Sequence, residues 1–302
     1  MYDCRDDYYA SPQRDHIPEM ITLFASPKAF TDPHIAMIQR NAIESWIRLS
    51  PRPDIILFGD EDGVADVAQE LEVRHCPHVA RNEFGTPLLN DVFENAERIA
   101  TTPFQCYINA DIILMGDFMS AVEFTARRKK RFLLGGRTHD VAVAENLTFK
   151  AGWDETLRER SRTEGVLRSQ WACDYFVFSR WLWPRLPAFA VGRCWFDNAL
   201  LHMARRARAS LIDATPSVTA IHQRHGYSGA LGGENYLANP EARRNILLAG
   251  GPQNMCNWGD AQYRLVDGNL RWSWKGYLKG ARLTRGLYLA FREAKLRRFG
   301  RP

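Results

Sequence analysis

The alternation of apolar, strand-like runs with helix-like segments constrains the fold of this chain more than any other feature of its sequence. MITLFASP begins at Met20, and DIILFGDED and FQCYI follow as further runs that suit buried strands. Between the first two lies DPHIAMIQRNAIESWIRL, where Ile35, Ile38 and Trp46 recur at helical spacing behind an Asp-Pro start. Strand, helix and strand in this order form right-handed βαβ units. The sequence therefore predicts an α/β, Rossmann-like fold with a mixed, mostly parallel sheet flanked by helices.

The later segments extend this pattern. TPLLNDVFENAERIAT is a predicted helix with Pro87 near its first turn, and RFLLGGR and DYFVFS are predicted strands. The residues between these two strands, up to about Gln170, are predicted to form a polar loop. Asp197 is predicted to cap the helix DNALLHMARRARA. We expect a leader at 1–19, a single α/β domain at 20–265 and a basic, aromatic, helical tail at 266–302.

Charge and cysteine content narrow the class of protein. The net charge is +5, but ten of the Lys and Arg residues lie between Arg271 and Pro302, where Glu293 is the one acidic residue. The rest of the chain is mildly acidic, so nucleic-acid binding is not expected. The six cysteines occur singly without a CxxC pair, as is typical of reduced thiols in an intracellular protein. With no signal peptide and no run of about 18 apolar residues, a cytoplasmic location is expected.

Polar residues stand where predicted strands end or a helix begins. Asn109-Ala110-Asp111 directly follows FQCYI, and the apolar run IILM resumes at once, so Asp111 is embedded in apolar sequence. Asp174 is the first residue of DYFVFS and precedes its apolar residues. Asp197 stands at the start of a predicted helix, and His222 follows SVTAI. Ligands of open α/β sheets bind beyond the carboxyl ends of the strands, so these side chains are candidates for one site. Each also has a structural alternative as a turn, strand-end, capping or core residue.

On these residues the chain resembles the GT-A glycosyltransferases, which use nucleotide sugars and hold a divalent cation with an Asp-Xaa-Asp motif after a central strand. Asn109-Ala110-Asp111 matches that motif with Asn in place of the first Asp. The resemblance implies Mn²⁺ or Mg²⁺ bound by Asp111, with Asn109 as a neutral partner of the donor. It implies a late histidine on the metal or the diphosphate, for which His222 is preferred and His225 is the alternative.

The same resemblance implies the catalytic residues. Asp197 would be the general base of an inverting transfer, and Asp174 would bind sugar hydroxyls of donor or acceptor. Trp195 and Phe196 beside Asp197 could stack on a sugar and raise the pKa of the carboxyl. If Asp197 is not the base, a retaining mechanism stays open. The residues expected to contact the donor nucleotide are Ala25, Ser26, Asp60, Arg81, Thr86, Asn109 and Arg137.

The expected function is metal-dependent transfer of a hexosyl or pentosyl group from a nucleotide diphosphate sugar, with UDP favoured. The acceptor would be a saccharide or a lipid-linked hydroxyl, as in the synthesis of cell-surface polysaccharide. A non-catalytic sugar- or nucleotide-binding protein of the same fold is the alternative, favoured by Asn109. A sugar nucleotidyltransferase is disfavoured because ASPKAF, after the first strand, is not a Gly-rich phosphate loop.

The C-terminal segment 271–302 combines aromatic residues with basic ones. Leu283, Leu287 and Phe291 share one helical face, while Trp272 and Trp274 precede that helix. This composition is typical of an interfacial segment, and peripheral contact with an anionic inner-membrane surface is expected. A C-terminal helix docked on the domain, with its basic face in solvent, is the alternative.

Overall fold

A computed structural model of the protein describes residues 20–225 and 239–280, without the side chains of 278–280. The predicted leader at 1–19 and the predicted apolar helical face around Leu283 to Phe291 lie outside the described residues. In the parts of the chain that are described, no helix is both long and apolar enough to cross a membrane.

The strands form one large and one small sheet. Numbered in chain order, they are β1 Ile21–Ala25, β2 Asp54–Phe58, β3 Arg74–Cys76, β4 Phe104–Ile108, β5 Ile112–Ile113, β6 Phe132–Gly135, β7 His139–Val141, β8 Val166–Leu167, β9 Tyr175–Ser179, β10 Ser210–Asp213, β11 Ile221–Gln223, β12 Tyr263–Val266 and β13 Asn269–Trp272. The helices are α1 Pro33–Ile47, α2 Val64–Glu70, α3 Leu89–Ile99, α4 Gly116–Ala126, α5 Trp153–Thr163, α6 Phe196–Arg206, α7 Pro240–Leu248 and α8 Trp274–Gly280.

The large sheet has nine strands in the order β13-β12-β10-β6-β9-β4-β1-β2-β3. Neighbouring strands are parallel except at β9, which runs antiparallel to both β4 and β6, and at the β12-β13 hairpin. The predicted fold class, a mixed and mostly parallel sheet flanked by helices, is therefore confirmed. The small sheet has the order β5-β11-β7-β8 and lies beyond the end of β4.

Burial explains why β1 and β2 are mostly apolar, and their two polar side chains, Thr22 and Asp54, hydrogen-bond to each other. Every residue of β1 and β2 is buried, because helices or loops cover both faces of the large sheet. Successive residues of β1 enter different cores: Leu23 packs with Trp46 of α1, and Phe24 packs with Phe93 of α3 and Phe178 of β9. The start of α1 is as predicted, since the Asp32 carboxylate accepts hydrogen bonds from the backbone amides of its first turn.

Three details differ from the sequence-based expectations. The stretch predicted as a polar loop contains β7, α5 and β8. The sequence did not predict α5 because only Leu157 and Ser161 in it are buried, so the helix has no apolar stripe. Pro87 precedes α3 and forms a β-bridge with Arg81 instead of opening the helix. The β12-β13 hairpin and α8 continue the packed structure to Gly280, past the expected boundary at residue 265.

Candidate active site

A cavity of about 830 Å³ opens at the carboxyl ends of β1, β2 and β4. Ser26 follows β1, Glu61 follows β2 and Asn109 follows β4, so the loops after three parallel strands form one wall. Further lining residues come from Arg168 to Asp174 and from Val191 to Asn198. The volume is of the size that holds a drug-sized or nucleotide-sized ligand, roughly 300–1,000 Å³.

Three potential metal ligands meet at this cavity: Asp111, His222 and His225. Their ligand atoms all lie within 4.8 Å of one another. Asp111 Oδ2 is 3.4 Å from His222 Nε2 and 3.0 Å from His225 Nε2. The structure thus brings the predicted ligands Asp111 and His222 together, and it adds His225, which the sequence left as the alternative to His222.

The small sheet explains how residues far apart in sequence reach the same point. After Asp111 the chain leaves the large sheet and enters β5, which pairs antiparallel with β11 and places Ile112 opposite His222. On the other side of β11, β7 runs parallel and places Asp140 opposite His222. The apolar residues that follow Asp111 are therefore core residues: Ile112 and Leu114 pack with the large sheet, and Ile113 and Met115 pack with the small one. His222 lies within a strand and does not follow one, contrary to the expectation from SVTAI.

A shell of hydrogen bonds, from part-buried to exposed, fixes the orientation of these residues. The Nδ1–H of His222 donates to Asp140 Oδ1 at 2.7 Å, and Arg224 Nε donates to Asp140 Oδ2 at 2.9 Å. Gln223, which is fully buried, donates to the backbone oxygen of Asp111 at 3.1 Å. His222 therefore presents Nε2 towards Asp111, in the arrangement in which a carboxylate orients a metal-binding imidazole.

Electrostatics and unmet hydrogen bonding both fit a bound cation. Burial alone would raise the pKa of Asp111, but hydrogen bonds from His222 and His225 bring it well below its usual range. Burial lowers the pKa of His222, and the adjacent Asp111 carboxylate raises it to a net value above the ordinary one. Asp111 Oδ1 is buried and has no hydrogen-bond partner among the described residues. A carboxylate oxygen and two imidazole nitrogens at this spacing are suitable ligands for a divalent transition ion.

Asp174 lines the cavity, but its carboxylate is already engaged. Arg168 Nη1 donates to both of its oxygens at 2.9 Å, and the Thr138 hydroxyl donates to Oδ2 at 2.7 Å. Asn109 Nδ2 lies 3.4 Å from Asp174 Oδ1. Asn109 stands in place of the first Asp of the expected motif, and its side-chain amide points to Asp174. This contact links Asp174 to the end of β4.

Asp197 lines the same cavity from the first turn of α6. It does not cap the helix as predicted: Trp195 occupies the cap position with φ 85°, and Asp197 is the second helical residue. Burial raises the pKa of Asp197 to about 7; the hydrogen bond from the Asn198 amide opposes that shift, and the charge of Asp174 adds to it. A carboxyl with this pKa is suited to exchange a proton near neutral pH.

The residues predicted to bind the nucleotide are only partly at the cavity. Ser26, Arg81, Thr86 and Asn109 line it, whereas Ala25, Asp60 and Arg137 are not among its lining residues. Ala25 is fully buried in the sheet, and Asp60 is paired with Arg81 at 2.5 Å. Arg81 also pairs with Glu61 at 2.9 Å, so its charge is compensated by carboxylates within the protein.

Arg137 does not line the cavity and instead contacts backbone oxygens. Its guanidinium donates to the backbone oxygens of Leu167 and Arg168, which ties the end of β8 to the loop after β6.

Several cavity residues were not found from the sequence. Arg168 and Arg193 line the cavity, and Arg193 pairs with Glu241 of α7 at 2.6 Å. Glu241 also accepts a hydrogen bond from Asn82 at 2.6 Å, so α7 joins the two sides of the cavity. No local pattern marks these contacts, since they join segments more than forty residues apart.

Comparison with known proteins gives matches to structures only. No family model and no curated protein matches the sequence. Residues 1–349 of TarS from S. aureus, in complex with UDP-GlcNAc, match with 10% identity and a TM-score of 0.47, covering 76% of this chain and 65% of that one. The chain therefore spans about two thirds of that fragment's length, and 48% of another TarS structure.

Two further structures are similar in part. Glucosyl-3-phosphoglycerate synthase from Mycobacterium tuberculosis, in complex with Mn²⁺, UDP and phosphoglyceric acid, matches with 16% identity and a TM-score of 0.46, covering 78% of this chain and 80% of that one. The mannosyltransferase PcManGT from Pyrobaculum calidifontis, in complex with GDP-Man and Mn²⁺, matches with 13% identity and a TM-score of 0.43, covering 74% and 62%.

Proposed function

We propose that the chain is a glycosyltransferase that uses a divalent cation and a nucleotide diphosphate sugar. The observation that carries this proposal is the convergence of Asp111, His222 and His225 in a cavity that Asp197 also lines. One cavity then has the groups for two tasks: a cation site and a carboxyl that can take a proton from an attacking hydroxyl.

Asp111, His222 and His225 would hold the cation. When bound, the cation would stabilise the negative charge that develops on the leaving diphosphate. Two of the three ligands are imidazole nitrogens, which Mg²⁺ seldom accepts because it is a small, oxygen-seeking ion, whereas imidazole suits first-row transition ions. Between the two cofactors expected from the sequence, the donor set therefore favours Mn²⁺.

Asp197 would act as the general base of an inverting transfer. With a pKa of about 7 it is substantially ionised at neutral pH and is still basic enough to accept the hydroxyl proton of the acceptor. Asp174, held by Arg168 and Thr138, would position the sugar instead of exchanging protons. Ser26 and Thr86 lie on the wall that would receive the nucleoside, for which uridine is proposed.

The proposed acceptor is a saccharide or a lipid-linked hydroxyl, in the synthesis of a cell-surface polysaccharide. The residues at the β13 edge of the large sheet suit contact with an anionic membrane surface. There Trp272, Trp274 and Tyr277 are exposed and contact one another, and Trp272 also packs on Tyr263. Lys129 lies over the Tyr263 ring at 3.9 Å, which places a basic group beside the aromatic ones.

The test of the membrane contact is sedimentation of the full chain with phosphatidylglycerol and with phosphatidylcholine vesicles. Binding to the anionic vesicles should weaken when Trp272 and Trp274 are both replaced by alanine. Equal sedimentation of the two forms would remove this part of the proposal.

The test of the enzymatic function is release of nucleotide from a panel of UDP- and GDP-sugars with Mn²⁺, with Mg²⁺ and with a chelator. Asp111→Asn should lose Mn²⁺ affinity by more than the roughly 10- to 100-fold typical of an outer-shell partner, and turnover should fall with it. Asp267→Asn, an exposed carboxylate at the β12-β13 turn, is the control. Turnover that Asp111→Asn leaves unchanged would refute the metal site. Mn²⁺ and nucleotide binding without turnover of any donor would favour the non-catalytic alternative.

A further inference from the structure

Two tryptophan rings line the cavity beside the first turn of α6. The centroids of Trp171 and Trp195 are 6.2 Å apart and their planes are inclined at 70°. Both side chains are partly buried against the core and both contribute to the cavity wall. The two rings thus form an aromatic corner of a cavity whose wall also carries other apolar side chains together with charged and polar groups.

The backbone at Trp195 is in the left-handed region, with φ 85°. This conformation is costly for a bulky residue and is open to glycine without strain. Strained residues of this kind persist where the surrounding structure holds them, and they cluster at ligand-binding sites. Here the conformation places the Trp195 ring on the cavity wall while Asp197 enters the first turn of α6 two residues later.

Hydrogen bonds from a buried side chain hold the corner in place. Asn198, next to Asp197, directs Nδ2 to the backbone oxygen of Trp171 at 3.2 Å and to that of Cys256 at 3.0 Å. The Trp171 amide donates to the Ser169 hydroxyl at 3.1 Å. The backbone at Trp171 is therefore held before any ligand enters, which lowers the entropy lost on binding.

The chemistry of this corner selects the class of ligand. A pyranose ring has an apolar face of C–H groups and a polar rim of hydroxyls, and aromatic rings bind the apolar face. Asp197, on the same turn, could accept a hydrogen bond from the rim. An acyclic polyol or a phosphate offers no comparable apolar face for the two rings.

We propose that Trp171 and Trp195 form the acceptor subsite, and that the acceptor presents a pyranose ring whose hydroxyl meets Asp197. This proposal rests on the proposed function, because it makes the saccharide acceptor the partner of Asp197. It narrows the acceptor from any hydroxyl compound to one with a six-membered sugar ring.

The test is saturation-transfer NMR of the full chain with methyl β-D-glucopyranoside, methyl β-D-galactopyranoside and methyl α-D-mannopyranoside, with sorbitol and glycerol 3-phosphate as acyclic comparators. At least one pyranoside should show saturation of its ring C–H protons, and the comparators should not. Trp195→Gly should lower the affinity for that pyranoside roughly ten-fold, because one aromatic contact is lost. Trp195→Phe should retain most of the affinity.

Trp181→Gly is the matched control, because Trp181 also has a positive φ, 57°, but is exposed and does not line the cavity. Thermal unfolding monitors the fold of each variant, and glycine is free of the strain that alanine would keep at these positions. Pyranoside saturation that Trp195→Gly leaves unchanged, no pyranoside saturation in the wild type, or equal saturation of an acyclic comparator would each overturn the subsite.

Nucleotide release measured on the wild type separates this proposal from the proposed function. Release with no pyranoside binding would overturn the subsite alone. Pyranoside binding that depends on Trp195, without release from any donor, would support the subsite and count against the transferase.

Discussion

The carboxylate of Asp140 should control the cation affinity of the site without being one of the three ligands. Its Oδ1 accepts from His222 Nδ1 at 2.7 Å, which leaves Nε2 of that imidazole facing Asp111. Arg224 in turn holds Asp140 through its other oxygen at 2.9 Å. Removing Asp140 would free the imidazole to rotate and to change tautomer, so fewer conformations of His222 would present Nε2 to a cation.

The expected magnitude follows from this geometry. Loss of an outer-shell carboxylate typically weakens metal binding about 10- to 100-fold, which corresponds to about 1.4–2.7 kcal/mol. Asp140→Ala should reach this range because it removes both the charge and the hydrogen bond. Asp140→Asn should lose less, since an amide oxygen can still accept from Nδ1.

The assay is a titration of the protein with Mn²⁺. Binding is measured by calorimetry and by the electron paramagnetic resonance signal of the free ion. Glu145→Gln is the control, because Glu145 is likewise paired with an arginine, Arg160 at 2.7 Å, but contacts no ligand of the proposed site. Circular dichroism confirms that the variants fold. Mn²⁺ affinity in Asp140→Ala equal to that of the wild type would refute the argument for orientation, even if the wild type binds Mn²⁺ tightly.

Three further perturbations probe the carboxylates of the cavity. Because the raised pKa of Asp197 makes its ionised form unfavourable in the folded state, Asp197→Asn should gain stability relative to the wild type as pH rises from 4 to 7 in denaturant titrations, whereas below pH 4 the difference between them should not change with pH. Asn109→Asp should lower the melting temperature and bring no gain in Mn²⁺ affinity, since the new carboxylate would face Asp174; tighter Mn²⁺ binding would contradict this. Arg168→Met should cost about 3–5 kcal/mol in urea unfolding by leaving Asp174 buried without its cation, and a cost below 1 kcal/mol would count against the pairing.

The large sheet could be predicted because its signals are local. β1, β2 and β4 are five-residue strands that are almost wholly buried and carry four apolar residues each, and α1 has both an Asp-Pro start and an apolar face. Each of these patterns lies within one segment of about fifteen residues, so no knowledge of distant contacts is needed to recognise it.

The small sheet could not be predicted, because its strands have only two or three residues each. A run as short as Ile112–Ile113 shows no period, and its partner β11 lies about a hundred residues further along the chain. The sequence therefore identified Asp111 and His222 as candidates without the element that unites them. For the same reason Asp140 was missed, since its role depends on lying opposite His222 in this sheet.

Asp111 and Asp197 show why residue type alone does not distinguish the roles that we propose for them. Asp111 and Asp197 are both partly buried, and burial by itself would raise the pKa of either. At Asp111 two imidazoles outweigh burial and keep the carboxylate ionised, as a cation ligand must be. At Asp197 the neighbouring Asp174 reinforces burial, so the carboxyl holds its proton to about pH 7. Opposite pKa shifts of two carboxyls within one cavity agree with the different roles that we propose for them, cation binding for Asp111 and proton transfer for Asp197.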